Sequence, residues 1–292
     1  MKNKRKGIIL AGGSGTRLYP VSIPFSKQLI PVFNKPMIYY PLATLMLADI
    51  KEILIITTKR DALLFKDLLK DGSQWGLKIK YAIQKEPKGI VESLIIAENF
   101  LSGSPCALIL GDNIFHGNNL RSILKTQSEK LNENCIFTYY VKDPERYGVA
   151  NYKNSRIVSL KEKPKKPKSN FAITGLYFYD QNASENAKKI TPSNRGELEI
   201  TDLNKLYLKE GSLNSIKLKR GYAWLDTGTF DSLIEASFFV STIEKRQGLL
   251  IASPEEVAYR LGYIDSMQLK KLADSYNNSY GNNLLNLLES NE

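Results

Sequence analysis

The sequence is poor in the residues that do most metal and redox chemistry: two cysteines and one histidine in 292 residues. Three such ligands cannot complete a zinc finger, which needs four at short spacing. A multi-disulfide scaffold is excluded as well. Cys106 and Cys135 lie in apolar, strand-like runs and read as small buried thiols of a reducing compartment, the cytoplasm. Long apolar runs are also missing. The longest, residues 37–48, is broken by Pro41 and is too short to span a bilayer. No signal peptide is expected, because Lys2, Lys4, Arg5 and Lys6 lead straight into a strand-like run. Neither common phosphate loop is present: there is no G-x-G-x-x-G at the first strand and no Gly-Lys before a hydroxyl.

Nor is there an acidic excess. The 41 basic and 30 acidic residues leave a net charge of +11, which raises nucleic acid as a partner. The basic residues are scattered, however, apart from the N-terminus and residues 161–168, whose prolines read as a solvated loop. A polyanionic small substrate accounts for a local positive field as well as DNA does. Neither nucleic acid nor membrane is expected as a partner.

What the sequence does have is Gly7-Ile8-Ile9-Leu10-Ala11-Gly12-Gly13-Ser14-Gly15-Thr16-Arg17-Leu18. A buried strand runs into three glycines in four positions, then a cation. Without Cβ atoms, backbone N–H groups can close around an anion. Arg17 adds a planar fork of donors, and Lys27 a second cation ten residues on. The plainer alternative is a tight turn with no ligand.

Further apolar runs at 53–56, 81–83 and 107–110 read as strands, with helices at about 41–49 and 90–101. Such alternation predicts an α/β fold with parallel strands, which bind ligands at their carboxyl ends. The middle is β-rich, with short strands at 136–141, 149–152, 157–160 and 173–179. Residues 196–201 open a helix with Thr201 or Asp202 as cap, and residues 221–229 form a strand and turn. Helices follow at 230–245 and 254–260, the latter capped by Ser253 with Pro254 in its first turn.

Asp112 and Asp226 each end an apolar run beside a glycine. Alone, either is a turn-former. Together with a cationic glycine loop they suit Mg²⁺ and a phosphate, hence phosphoryl or nucleotidyl transfer.

These residues, with Ser26-Lys27-Gln28, Glu162-Lys163-Pro164, residues 170–179 and Trp224-Leu225-Asp226-Thr227-Gly228-Thr229, resemble the sugar-nucleotide pyrophosphorylase family. The likeness is nearest to its short, homotetrameric thymidylyl-transferring branch and covers about residues 6–290. Residues 142–149 and 195–202 are its most specific stretches. The resemblance implies a Rossmann-like nucleotidyltransferase fold with a mixed, mostly parallel central sheet, a β-rich sugar-binding insertion and C-terminal helices. It implies one domain, 1–292, with a nucleotide part to about 115, a sugar-phosphate part at about 116–229 and a helical assembly and regulatory part from about 230.

The same resemblance implies the roles. Leu10 would contact the nucleotide, Gly12, Gly13, Ser14, Gly15, Thr16 and Arg17 would hold the triphosphate, Lys27 would contact the phosphates, and Gln84 and Gly89 would read the pyrimidine. Asp112 and Asp226 would hold Mg²⁺. Tyr147, Gly148, Glu162, Lys163, Thr174, Glu197 and Trp224 would surround the sugar phosphate. The implied reaction joins dTTP and α-D-glucose 1-phosphate into dTDP-glucose and pyrophosphate, towards dTDP-L-rhamnose. A second site between subunits, built from Ile251, Glu256, Val257 and Arg260 against a neighbour's Gly117 loop, would bind dTDP-L-rhamnose as inhibitor. By spacing alone, Glu256 and Arg260 could simply pair with each other.

The sequence departs from the pattern at Gly89-Ile90-Val91-Glu92-Ser93, where relatives have Gly-Leu-Ala-Gln-Ala; Glu92 puts a carboxylate near the expected nucleotide. Ile23 and Lys161 also differ. His116 reads as a loop residue, since the reaction needs no general base. Three alternatives stay open: a UTP-using enzyme, a non-catalytic nucleotide-sugar sensor, and a nucleic-acid binder.

Overall fold

The computed structural model describes residues 4–13 and 15–289; Ser14 of the glycine loop lies outside them. β1 (Lys6–Ala11) leads through the glycine loop to a small ladder, β2 (Pro31–Val32) with β3 (Lys35–Pro36), and into α1 (Tyr39–Leu47). β4 (Glu52–Thr57), α2 (Ala62–Leu69), β5 (Lys78–Ile83), α3 (Glu92–Ile96), α4 (Glu98–Leu101) and β6 (Cys106–Leu110) complete an alternating first part. Then come β7 (Asn113–Gly117), α5 (Leu120–Glu129), β8 (Asn134–Tyr140), β9 (Gly148–Lys153), β10 (Arg156–Glu162) and β11 (Phe171–Tyr179). They are followed by α6 (Ala183–Lys188), α7 (Ile200–Lys209), β12 (Leu213–Leu218) and β13 (Tyr222–Asp226). The last helices are α8 (Phe230–Gln247), α9 (Pro254–Arg260), α10 (Ser266–Asp274) and α11 (Ser279–Glu289).

Among the described residues, nine strands form one mixed sheet in the order β10–β9–β11–β6–β1–β4–β5, with β8 also on β11 and β12 on β8. β1, β4, β5 and β6 are parallel, and β11 runs antiparallel against β6, β8 and β9. In register, Ile9 lies between Ile55 and Ile109, and Ile8 between Leu54 and Leu108. Successive strand residues face opposite sides, so the first row meets α1 and the second meets α3. Both faces are covered, which is why these strands read as unbroken apolar runs. α1 has no polar face: every residue from Tyr39 to Met46 is buried.

Several expected elements differ in detail. The helix expected over 90–101 is two short pieces, α3 and α4, separated at buried Ala97. α7 begins two or three residues earlier than Thr201 or Asp202 would allow as caps. Its N-cap is Glu199, in extended backbone, and the Thr201 hydroxyl is committed to Glu162 instead. His116 is not in a loop. It sits in β7 opposite Ala223 of β13, its ring 5.7 Å from Phe239, and burial lowers its pKa. Cys106 and Cys135 are free and buried, as expected, and burial pushes both thiols up to about 12. Thr229 caps α8 with a reciprocal Ser232 bond, and Ser253 caps α9. No helix among the described residues is long and apolar enough to cross a membrane.

Candidate active site

The glycine loop leaves the carboxyl end of β1 under steric instruction. A Cβ on Gly12 would sit 2.3 Å from Gln84 Oε1, so a larger residue there would push the Gln84 amide aside. Gly13 and Gly15 have φ of +96° and +62°, the left-handed region that other residues avoid. Ser22 Oγ donates to the Gly15 carbonyl at 2.7 Å and pins the loop. Thr16 and Arg17 are exposed. A Cβ built on Gly228 would lie 3.9 Å from Arg17 Nη1 and 3.7 Å from Asp226 Oδ2, so loop cation and carboxylate share a corner.

Lys27 sits in a short turn held from behind. The fully buried Asp61 accepts from the Ser26 N–H at 3.1 Å and from Thr58 Oγ1 at 2.7 Å. From there the Lys27 ammonium pairs with Asp112 Oδ2. Burial alone would raise the Asp112 carboxyl, but Lys27 and the Asn113 amide outweigh it and leave it below its ordinary value.

Asp112 occupies the turn between β6 and β7. The β7–β13 ladder sets Asp226 opposite Asn113 and so beside Asp112. Thr227 closes the pair by giving its N–H and Oγ1 to the Asp112 carbonyl. Burial raises Asp226, the Arg146 guanidinium 3.6 Å away opposes that, and the Asp112 charge raises it further. The two carboxylates therefore repel. The Tyr147 hydroxyl donates to Asp226 Oδ1 at 3.1 Å.

The residues around this pair are aromatic and charged. Tyr147 packs edge-on to Trp224, ring centres 5.1 Å apart, and Trp224 Nε1 donates to Asn113 Oδ1 at 2.6 Å. The same oxygen accepts from the Gly175 N–H, where a Cβ would come within 2.6 Å of it. Gly148 pairs with Glu162 across β9 and β10, and Thr201 gives its hydroxyl to Glu162. Arg195 holds Glu197 and Glu199 at 3.1 and 2.8 Å and lies 3.7 Å from Glu162. Lys163 is exposed, with φ +37°, and its N–H bonds to the Tyr147 carbonyl at 3.0 Å. Thr174 stands apart: it is fully buried, and its hydroxyl goes to the Phe137 carbonyl.

Gln84 packs its side chain on Gly12 of the glycine loop. Gly89 has φ +110°, and a Cβ there would fall 2.5 Å from the Leu198 carbonyl oxygen. Leu10 is half-buried at the end of β1. In the segment expected to regulate, Ile251 and Val257 are buried, and Glu256 takes Arg260 Nε at 2.8 Å and the Leu250 N–H at 3.2 Å. The local Glu256–Arg260 pair is thus formed. Gly117 ends β7 opposite Tyr222.

Sequence reasoning missed the residues that organise this constellation. Asn113 ties Asp112, Trp224 and Gly175 together. Arg146 faces Asp226, and Asp61 braces Lys27. Arg146 and Arg195 lie in the stretches quoted as most specific, which was the available signal. Asn113 and Asp61 carried none.

The nucleotidyl transferase family profile matches residues 6–243. A glucose-1-phosphate thymidylyltransferase of Xanthomonas campestris pv. campestris is 54% identical over 280 residues, 95% of either chain. One from Mycobacterium tuberculosis is 51% identical over 288 residues, covering 98% of this chain and all of that one. Among solved structures, a glucose-1-phosphate thymidylyltransferase of Bacillus anthracis with bound sucrose superposes at a TM-score of 0.75. It is 40% identical over 80% of this chain and 94% of its own. A UDP-glucose pyrophosphorylase bound to UDP-glucose shares the fold at 24% identity, with a TM-score of 0.73 over 84% of this chain and all of its own. The chain belongs to the nucleotidyl transferase family.

Proposed function

We propose that the chain is a Mg²⁺-dependent glucose-1-phosphate thymidylyltransferase, moving the thymidylyl group of dTTP onto α-D-glucose 1-phosphate. The observation that carries this reading is the 51–54% identity to enzymes of that name over nearly their whole length. The cleft supports it. Arg17, Lys27 and Lys163 offer cations to two polyanionic substrates. Asp112 and Asp226 offer the hard oxygens that Mg²⁺ prefers, and their mutual repulsion suits a cation between them. When bound there, the ion would neutralise charge on the transferred phosphate.

The chemistry needs little else. A phosphate oxygen of the sugar substrate attacks the α-phosphorus in line, and the bond to the bridging oxygen breaks to release pyrophosphate. A phosphate monoester is already a good nucleophile at neutral pH, so no covalent enzyme intermediate forms. Catalysis comes from holding two polyanions together and balancing their charge. Arg17 and the loop N–H groups take the departing pyrophosphate, and Lys163 takes the sugar phosphate.

Pyrophosphate release across a matrix of nucleoside triphosphates and sugar 1-phosphates tests the reading directly. Release with dTTP and glucose 1-phosphate supports it. A preference for UTP, or no release at all, removes it. In the same assay Lys163→Ala is expected to raise the KM for glucose 1-phosphate about tenfold or more, leaving that for dTTP nearly unchanged, as loss of one charge-assisted contact. An equal rise for both substrates would place Lys163 elsewhere.

On this reading the enzyme works in the cytoplasm as a homotetramer, ahead of dTDP-L-rhamnose and related deoxysugars. The exposed stripe Phe230, Ile234 and Phe238, one turn apart on α8, supports burial against another copy. Inhibition by dTDP-L-rhamnose runs through residues 248–260. Arg260→Ala is expected to shift that inhibition curve severalfold while uninhibited turnover stays the same. Purely competitive inhibition, with an unchanged curve in the variant, would put the inhibitor in the active site.

A further inference from the structure

Asp61 stands at the N-cap of α2, where an aspartate ordinarily accepts from the free N–H groups of its own first turn. Here it makes no capping bond. Fully buried, it spends its oxygens elsewhere. Oδ1 accepts from the Ser26 N–H at 3.1 Å and from Arg60 Nε at 3.0 Å. Oδ2 accepts from Thr58 Oγ1 at 2.7 Å and from Arg60 Nη2 at 3.1 Å. Arg60 in turn gives Nη1 to the Ile23 carbonyl at 3.1 Å. Residues 23–26 are thus clasped from the carboxyl end of β4 by a carboxylate diverted from its own helix. The stretch leading into the clasp is bare on its outer side, with Tyr19, Val21 and Ile23 exposed. Lys27 follows Ser26 directly, and beyond it the Gln28 carbonyl accepts from the Ile38 N–H at 2.9 Å. Lys27 therefore stands between two anchors and reaches Asp112 from there.

We propose that Asp61 is a positioning residue for Lys27. By holding the Ser26 N–H it fixes where the ammonium stands against Asp112 and against the phosphates of a bound nucleotide. This rests on the nucleotide-transfer reading above. Asp61 touches neither substrate nor metal, so it acts only through the main chain next to Lys27. A displacement on the order of 1 Å in such a contact costs up to about a hundredfold in rate. Asparagine at position 61 keeps a carbonyl oxygen that can accept the Ser26 N–H, whereas alanine keeps nothing.

The test is a double-mutant cycle in the full-length protein: Asp61→Ala, Lys27→Met and both together, with Asp61→Asn as the conservative variant. Calorimetric titration gives the affinity for dTTP, and steady-state assays give kcat and the KM for glucose 1-phosphate. Asp61→Ala is expected to weaken dTTP about fivefold or more and to lower kcat about tenfold or more, with the sugar KM within about twofold of wild type. Asp61→Asn should keep dTTP affinity within about threefold. With Lys27→Met already in place, Asp61→Ala should cost less than about twofold in dTTP affinity, because the group it positions is gone. A merely structural Asp61 would cost the same in both backgrounds, and that result overturns the proposal. So does an asparagine as damaging as alanine. If Asp61→Ala does not fold, Arg60→Met carries the same cycle, because its half-exposed guanidinium can leave without opening the core. Wild-type protein that binds dTTP yet releases no pyrophosphate would remove the transfer reading, while the cycle on dTTP affinity would still decide the clasp. No binding of dTTP removes both.

Discussion

Asp226→Asn is expected to lower turnover at least about a hundredfold while the melting temperature holds or rises. The asparagine keeps the shape and can still accept the Tyr147 hydroxyl, which lies 3.1 Å from the carboxylate. What it loses is one negative charge of a mutually repelling pair. Losing it should relieve the fold and deprive the reaction together. Asp112→Asn should be as slow, with a further cost, because Lys27 loses its anionic partner. Initial rates at increasing Mg²⁺ and a thermal melt check both variants. Turnover within a few-fold of wild type at saturating Mg²⁺ would remove the two carboxylates from the mechanism. A large fall in melting temperature would make their role structural.

Lys35→Met is expected to destabilise the protein by about 3–5 kcal/mol, because it leaves a buried charge unpaired. The Lys35 and Glu244 side chains are 1% and 2% exposed and meet at 2.7 Å. Burial pushes the Lys35 pKa down, and Glu244 is the main group opposing that. Glu244 also accepts from Asn34 Nδ2 at 2.6 Å and from the Ile251 N–H at 2.8 Å. The ammonium lies over the rings of Tyr40 and Tyr280. One buried ion pair therefore fastens β3 to α8, to the segment before α9 and to α11. Adding Glu244→Gln removes the stranded charge, so the double variant should regain more than half of the loss. Denaturant melts of the three proteins decide. Equal stability of single and double variants would show that packing, not charge, is responsible.

The parts legible in the sequence are those where one residue's surroundings are written in its neighbours. β1, β4 and β6 are buried on both faces, so their apolar runs announce them. Gly12, Gly13 and Gly15 announce a loop that needs their freedom. Asp112 and Asp226 stand out singly, each at the end of a strand. Their meeting does not, because it depends on a ladder between β7 and β13, more than a hundred residues apart. Asn113 is illegible for the same reason: a buried amide makes sense only once Trp224 and Gly175 have come to it. α2, α5 and β12 are illegible too. α5 shows only Leu120 and Leu124 as buried apolar residues, and β12 is half-buried, with Asn214 and Lys217 in its run. Glu92 stands out in the sequence as a departure, but what it faces follows only from the turn that brings α3 against the end of β5.

The strand order also bears on how the chain is made. β1 precedes the other strands of the sheet in sequence, yet Lys6 pairs with Cys106, and Cys106 in turn with Tyr179. Until β11 exists, β6 presents an apolar strand with one edge unpaired, the kind of edge that recruits other chains. Most of the sheet must therefore wait for late segments while its early strands stand open, a slow and exposed route to the native state. An N-terminal fragment ending near residue 170 would contain the glycine loop, Lys27 and Asp112, and should aggregate during translation rather than fold around them.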